Sequence, residues 1–173
     1  MSILAFCGSL RRVSMNAALL RAAARLAPAG RPVEIFAGIA ALPLFNPDLE
    51  KDLPPAVRAL HAAVADCDAL LIASPEYAHG VTGVLKNALD WLVSFEGFID
   101  KRVAIFNASP RSAHADASLR EILTTMSANI VAGACLALPL RGLNLTEQQM
   151  FESQHATAIR QALLTLVSQE ARP

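Results

Sequence analysis

The chain has 173 residues, 54% of them hydrophobic, and its Lys plus Arg equal its Asp plus Glu, so the formal net charge is zero. That length supports one domain over residues 1–173 with a core that needs no staples, and the neutral balance argues against nucleic acid or anionic lipid as a partner. With no apolar run near the roughly 18–20 residues of a membrane span, no secretory-signal pattern at the start and no Cys-x-x-Cys pair among Cys7, Cys67 and Cys135, a cytoplasmic protein without a structural metal is expected.

Residues 3–7 (Ile-Leu-Ala-Phe-Cys) form an apolar run without alternation, the pattern of a strand covered on both faces. A polar loop, residues 8–16, leads into a helix with Leu19, Ala23 and Leu26 on one face, capped by Ser14 or Asn16 and stopped before Pro28 and Gly30. Residues 33–36 are a second short strand. Residues 38–52 read as an irregular loop, and Pro54 and Pro55 suit the first turn of a helix with the stripe Val57, Leu60, His61 and Val64. Residues 69–73 are a third buried strand, followed by the polar loop 74–80 and a helix over 83–94 with Leu85, Leu89 and Leu92 inward. Residues 103–107 are the fourth strand and end in a third polar loop, 107–112; Leu119, Ile122, Leu123 and Met126 mark the helix after it. Residues 130–138 are a fifth strand weakened by Gly133. Thr146 and Gln149 form a capping box for one final helix with the stripe Ile159, Ala162, Leu163 and Leu166.

Five strands alternating with five helices predict a three-layer α/β fold with a mostly parallel sheet; the arrangement expected is flavodoxin-like, a five-stranded parallel sheet of order 2-1-3-4-5. In that order the three polar loops, after strands one, three and four, are neighbours at the carboxyl edge, where ligands bind. The first loop opens a helix, whose unpaired N–H groups and positive dipole end favour an anion. Ser9, Arg11, Ser14 and Asn16 add hydroxyl, guanidinium and amide donors suited to a phosphate monoester. Neither a Walker loop nor a Gly-x-Gly-x-x-Gly fingerprint is present, which counts against a nucleotide triphosphatase or a tightly held dinucleotide. In the second loop Tyr77 offers a flat surface for a planar ring. Glu76 suits either a ligand contact or a helix-terminus charge, and His79 either a ligand contact or solvent. Ser109 and Arg111 of the third loop suit the same crevice, and for Arg111 and His114 a solvated loop is the equal alternative. Lys86 and Asp90 are spaced as a surface pair, Trp91 suits the core or a subunit interface, and Cys7 reads as packing.

The first motif, Gly8-Ser9-Leu10-Arg11-x-x-Ser14-x-Asn16, is followed at family spacing by Pro75-Glu76-Tyr77 and by residues 83–91, Gly-Val-Leu-Lys-Asn-Ala-Leu-Asp-Trp. The ordered pair resembles the NADPH-dependent FMN reductases, a flavodoxin-like group that includes quinone, azo-dye and chromate reductases, from about residue 2 to residue 126. The resemblance implies FMN as cofactor, with Ser9, Arg11, Ser14, Met15 and Asn16 on its phosphate. It also implies Glu76, Tyr77 and the backbone through Ala78, His79 and Gly80 along the isoalloxazine, with Ser109 closing the site. NADPH or NADH would be co-substrate, a small molecule the acceptor, and no side chain a required acid or base. A homodimer or homotetramer is implied too, with residues 42–47, Trp91 and Phe95 as apolar contacts. Ala78 and Thr82 stand where relatives often carry asparagine and proline, and the third loop lacks their glycines. A flavodoxin-like electron carrier or a non-catalytic FMN-binding protein is the alternative; the neutral charge and Arg11 count against the carrier.

Overall fold

A computed structural model describes residues 1–140, 146–152 and 154–168. The first strand, β1 (Ile3–Cys7), pairs in parallel with β2 (Val33–Ile35) on one side and β3 (Ala69–Ala73) on the other. Beyond β3 lies β6 (Arg102–Asn107), which pairs with β7 (Asn129–Ile130) and, further along, with β8 (Leu136–Ala137), all in parallel. The order β2-β1-β3-β6-β7 is the predicted 2-1-3-4-5 once the small hairpin β4 (Glu76–Tyr77) and β5 (Gly80–Val81) is set aside.

Strand alternation divides the core in two. Ile3, Ala5 and Cys7, with Leu71 and Phe106, face α1 (Met15–Leu26) and α6 (Ala156–Val167). Leu4 and Phe6, with Leu70, Ile72, Val103 and Ile105, face α2 (Pro55–Asp66), α3 (Gly83–Asp90) and α4 (Ala113–Thr125). Side chains of successive strand residues point to opposite faces, so an unbroken apolar run is what a doubly covered sheet requires. The predicted inward stripes are buried, apart from His61, Ile122 and Met126, which are half-buried.

Three elements differ from their sequence-based expectation. The fifth strand is split: residues 104–105 of β6 lie opposite residues 131–135, which loop out around a 3₁₀ turn at Ala132–Ala134. The bulge leaves the Ile105 N–H without a strand partner, and it donates to Cys135 Sγ instead, at 3.4 Å. The final helix is two helices. Thr146 and Gln149 do form a capping box, but it opens the five-residue α5 (Glu147–Phe151), while the apolar stripe belongs to α6. Helix α5 is held by α1, through Glu147 with Arg21 at 3.2 Å and Arg25 over the Phe151 ring at 4.3 Å. The third correction is that α3 ends at Asp90 rather than continuing to residue 94.

Trp91 is 1% exposed, so it packs inside its own chain rather than against a second one. Its Nε1 donates to the Pro43 carbonyl at 2.8 Å, and its ring meets Phe45 edge-on. Asn87 clamps the same loop from both sides, donating to Pro43 O at 2.9 Å and accepting from Phe45 N at 2.8 Å. Thus Asn87 and Trp91 of the Lys-Asn-Ala-Leu-Asp-Trp run fix a loop, and Lys86 and Asp90 make the expected surface pair at 2.5 Å.

Candidate functional site

Gly8 sets the starting geometry. Its N–H donates to Ala73 O at 2.8 Å, which draws the ends of β1 and β3 together. The chain then turns through residues 9–14 into α1. Ser14 is the N-cap, its Oγ accepting from Ala17 N at 3.3 Å, while its carbonyl accepts from Ala18 N. The N–H groups of Met15 and Asn16, in the first turn, have no intrahelical acceptor. Arg11 and Arg12 are exposed, and neither forms an ion pair among the described residues. Asn16, anticipated as a candidate cap, has a different place. It is 7% exposed, and its Oδ1 is buried without a hydrogen-bond partner.

An orphaned buried amide oxygen costs about 1–3 kcal/mol, and Asn16 lines one cleft with the first turn of α1, Arg11 and Arg12. That donor set fits a phosphate monoester, whose oxygens accept from the N–H groups and whose remaining hydroxyl or ribityl-type groups can donate to the amide oxygen. Burial pushes the Cys7 thiol above its ordinary pKa, outweighing the Ser9 backbone and the Arg21 charge, so the thiol stays protonated and packs as expected.

The second loop is a hairpin whose two-residue turn is Ala78-His79, with φ of 49° and 59°. Two successive positive φ values make a type I′ turn, the one whose twist matches a hairpin. Asparagine and glycine tolerate that conformation, whereas an alanine there carries a left-handed penalty of roughly 1–2 kcal/mol. Ala78→Asn is therefore expected to stabilise the protein by up to about 1 kcal/mol, read as a higher urea midpoint; an unchanged or lower midpoint would refute the turn assignment. Thr82, where proline is common in the resembled family, is buried and its Oγ1 lies 3.3 Å from Ser74 Oγ, tying the hairpin back to the end of β3.

Glu76 takes up the helix-terminus role. Its Oε2 accepts from Ala115 N in the first turn of α4 at 2.8 Å, linking the second loop to the third. The His79 and His114 rings stack across the same junction, 4.3 Å apart. The third loop is fixed by local bonds in place of glycines: Asn107 Oδ1 accepts from Ser109 N at 2.8 Å, and Ser109 O accepts from Ser112 N at 2.9 Å. The Ser109 N–H is thereby used, and its hydroxyl is what the residue can offer a ligand.

These loops enclose a cleft of about 770 Å³, the size class of a small-molecule site. Ser9, Arg11, Ser14, Met15, Asn16, Glu76, Tyr77 and Ser109 all line it. Ala78, His79 and Gly80 do not; they form the hairpin tip, outside the cleft wall. Arg12 of the first loop and Asn107 of the third also line it, as do Arg21, Thr146 and Glu147, which are unforeseen from the sequence. Nothing local marks Arg21 or Glu147, because their position depends on α5 docking against α1. Among the described residues no cluster of three or more His, Cys, Asp or Glu side chains could hold a metal, and no helix is long and apolar enough to cross a membrane.

The comparisons with known proteins agree with this architecture. The profile of the NADPH-dependent FMN reductase family matches residues 1–141. A 2-hydroxy-1,4-benzoquinone reductase of a Burkholderia species is 49% identical over 84 residues, which cover 49% of this chain and 45% of that protein. An NAD(P)H-dependent FMN reductase of Pseudomonas aeruginosa is 40% identical over 127 residues, covering 70% of this chain and 68% of the relative. The chain spans about half the length of most of the curated relatives it matches. Among solved structures, a flavoenzyme NAD(P)H:(acceptor) oxidoreductase from Paracoccus denitrificans superposes with a TM-score of 0.79 at 23% identity, covering 95% of this chain and 96% of that one, a likeness of fold. An apo NADH:FMN oxidoreductase superposes at 0.64 with 26% identity, covering 98% and 91%. The family profile spans all three loops, and the chain belongs to the NADPH-dependent FMN reductase family.

Proposed function

We propose that the protein holds FMN in this cleft and transfers reducing equivalents from NADPH or NADH to a small acceptor such as a quinone. The balance is NAD(P)H plus a proton plus quinone, giving NAD(P)⁺ and hydroquinone, with the proton drawn from solvent. The observation that carries the proposal is the buried, unpartnered Asn16 Oδ1 at a helix terminus that already presents open N–H groups and free arginines. Names of the relatives support the substrate class: they include quinone reductases and an FMN reductase.

When bound, FMN supplies the hydride-accepting chemistry that the chain lacks. Ser9, Arg11, Ser14, Met15 and Asn16 hold its phosphate end. Glu76 and Tyr77 line the ring, with Ala78, His79 and Gly80 at the rim, and Ser109 bonds through its hydroxyl. By capping α4, Glu76 keeps the second and third loops in register, so the ring pocket is preorganised rather than assembled on binding. All three loops fall within residues 1–141, the stretch that the family profile matches. As one cytoplasmic domain, the protein would act as a homodimer or homotetramer; exposed Leu44 and half-buried Phe45 and Phe95 offer apolar contacts for it.

Arg11→Ala is expected to weaken FMN binding about tenfold, the low end for a charge-assisted bond because Arg11 is exposed. Fluorescence titration of the apoprotein with FMN checks this, and an unchanged dissociation constant would remove Arg11 from the phosphate site. Turnover is tested separately by following NADPH oxidation with 1,4-benzoquinone as acceptor. Oxidation that depends on added FMN supports the enzyme; bound FMN with no NAD(P)H oxidation would make the protein a carrier or a non-catalytic flavin binder.

A further inference from the structure

The third loop carries a cation that the cofactor does not need. Among the described residues Arg111 makes no hydrogen bond or ion pair, although it lines the cleft. The acids of the cleft and of the following helix are already engaged: Glu76 accepts from Ala115 N, Glu147 pairs with Arg21 at 3.2 Å, and Asp116 pairs with Arg120 at 2.7 Å. Nor is Arg111 on a slack loop. Ser109, Pro110, Arg111 and Ser112 form a β-turn closed by the 2.9 Å bond from Ser112 N to Ser109 O, with proline at the position that presets φ. The Asn107 side chain holds the base of that turn through Ser109 N. The turn thus fixes the backbone from which Arg111 projects.

That place is the end of the cleft away from the phosphate loop. Strand β3 separates β1 from β6, so the first and third loops leave the sheet two strand spacings apart, about 9–10 Å. Arg11 and Arg12 make one cationic pole and Arg111 another. A single phosphate monoester at the first loop satisfies the first pole and leaves the second open beside exposed Tyr77, where a second planar molecule has room to stack.

We propose that Arg111 is a specificity-determining residue that selects anionic acceptors, anchoring the ionised hydroxyl of a hydroxyquinone. The proposal rests on the oxidoreductase function above. A hydroxyl on a quinone ring is a vinylogous acid and ionises readily. Its oxygen and the adjacent carbonyl then sit side by side, the arrangement that a planar guanidinium meets with two N–H groups. A neutral quinone gains no such charge-assisted pair.

The test compares FMN-loaded wild type, Arg111→Gln and Arg111→Lys at saturating NADH and at saturating NADPH. The acceptors are 1,4-benzoquinone and 2-hydroxy-1,4-benzoquinone, at a pH where the second is ionised. Because Arg111 is exposed and unpaired, the variants are expected to fold and load FMN as wild type does, which circular dichroism and flavin content verify. Arg111→Gln should raise KM for the hydroxyquinone about tenfold or more, with kcat little changed and the benzoquinone KM kept. Arg111→Lys, which keeps the charge without the fork, should fall between. An equal rise for both acceptors, or no rise, overturns the assignment. So does an effect confined to the NADPH KM, read by varying NADPH at a fixed saturating acceptor, which would give Arg111 to the nucleotide phosphate instead. Hydroxyquinone reduction without sensitivity to Arg111 would sink this inference alone; failure of wild type to reduce either quinone would sink the oxidoreductase function with it.

Discussion

Gly8→Ala is expected to destabilise the protein by about 1–3 kcal/mol and to weaken FMN binding together with it. A Cβ at this position would lie 2.1 Å from Ser74 Oγ, 2.6 Å from Ser74 Cβ and 3.0 Å from Thr82 Oγ1. Rotating Ser74 relieves the first contact but not the second, so the ends of β1 and β3 must move apart. Their separation is set by the 2.8 Å bond from Gly8 N to Ala73 O, and the first and second loops start from those two ends. Stability and cofactor affinity should therefore fall as a pair. Urea unfolding of the apoprotein and FMN titration read the two quantities. Adding Ser74→Gly to Gly8→Ala removes the Cβ contact and should recover part of both losses. If Gly8→Ala unfolds at the wild-type urea midpoint, the close approach of the two loops is wrong.

Asn16→Leu should have effects of opposite sign on the free and loaded protein. In the apoprotein the side chain is 7% exposed with its Oδ1 unsatisfied, so the amide is a buried polar group held at a cost. An apolar residue of similar volume removes that cost, and the apoprotein should be at least as stable as wild type, by up to about 1–3 kcal/mol. The loaded protein loses a hydrogen bond in a site shielded from water, so FMN affinity should fall by a similar amount, about tenfold to a hundredfold. Thermal unfolding with and without FMN separates the two: the stabilisation that ligand adds shrinks while the apo midpoint holds or rises. A variant that is destabilised without ligand, with unchanged affinity, would show Asn16 to be a packing residue.

Much of this was legible in the sequence because it rests on local chemistry. The apolar runs at 3–7 and 69–73 lack alternation because both sheet faces are covered, and the strand order is the flavodoxin-like one assigned to the pattern of alternating strands and helices. The convergence of three polar loops then follows from that order. What the sequence hid is tertiary. The capping box at Thr146 is real, yet the helix it opens is ended early and held by Arg21 and Arg25 from a helix more than a hundred residues away in sequence. The break at 131–135 comes from the two separate registers on β6, of which Gly133 was only a partial sign. Ser14 and Asn16 looked interchangeable as caps, and the backbone at Ser14 decided between them, leaving Asn16 for the cleft. The hairpin at 78–79 needed two positive φ values that neither alanine nor histidine advertises.

The most direct measurement mixes purified protein, reconstituted with one equivalent of FMN, with NADPH and with NADH under anaerobic conditions in a stopped-flow spectrophotometer. The account predicts that with at least one donor the visible flavin absorbance bleaches at a rate that saturates with nucleotide concentration, and that added benzoquinone restores it. Flavin that stays oxidised with both donors, or that bleaches no faster than free FMN, would contradict the central claim.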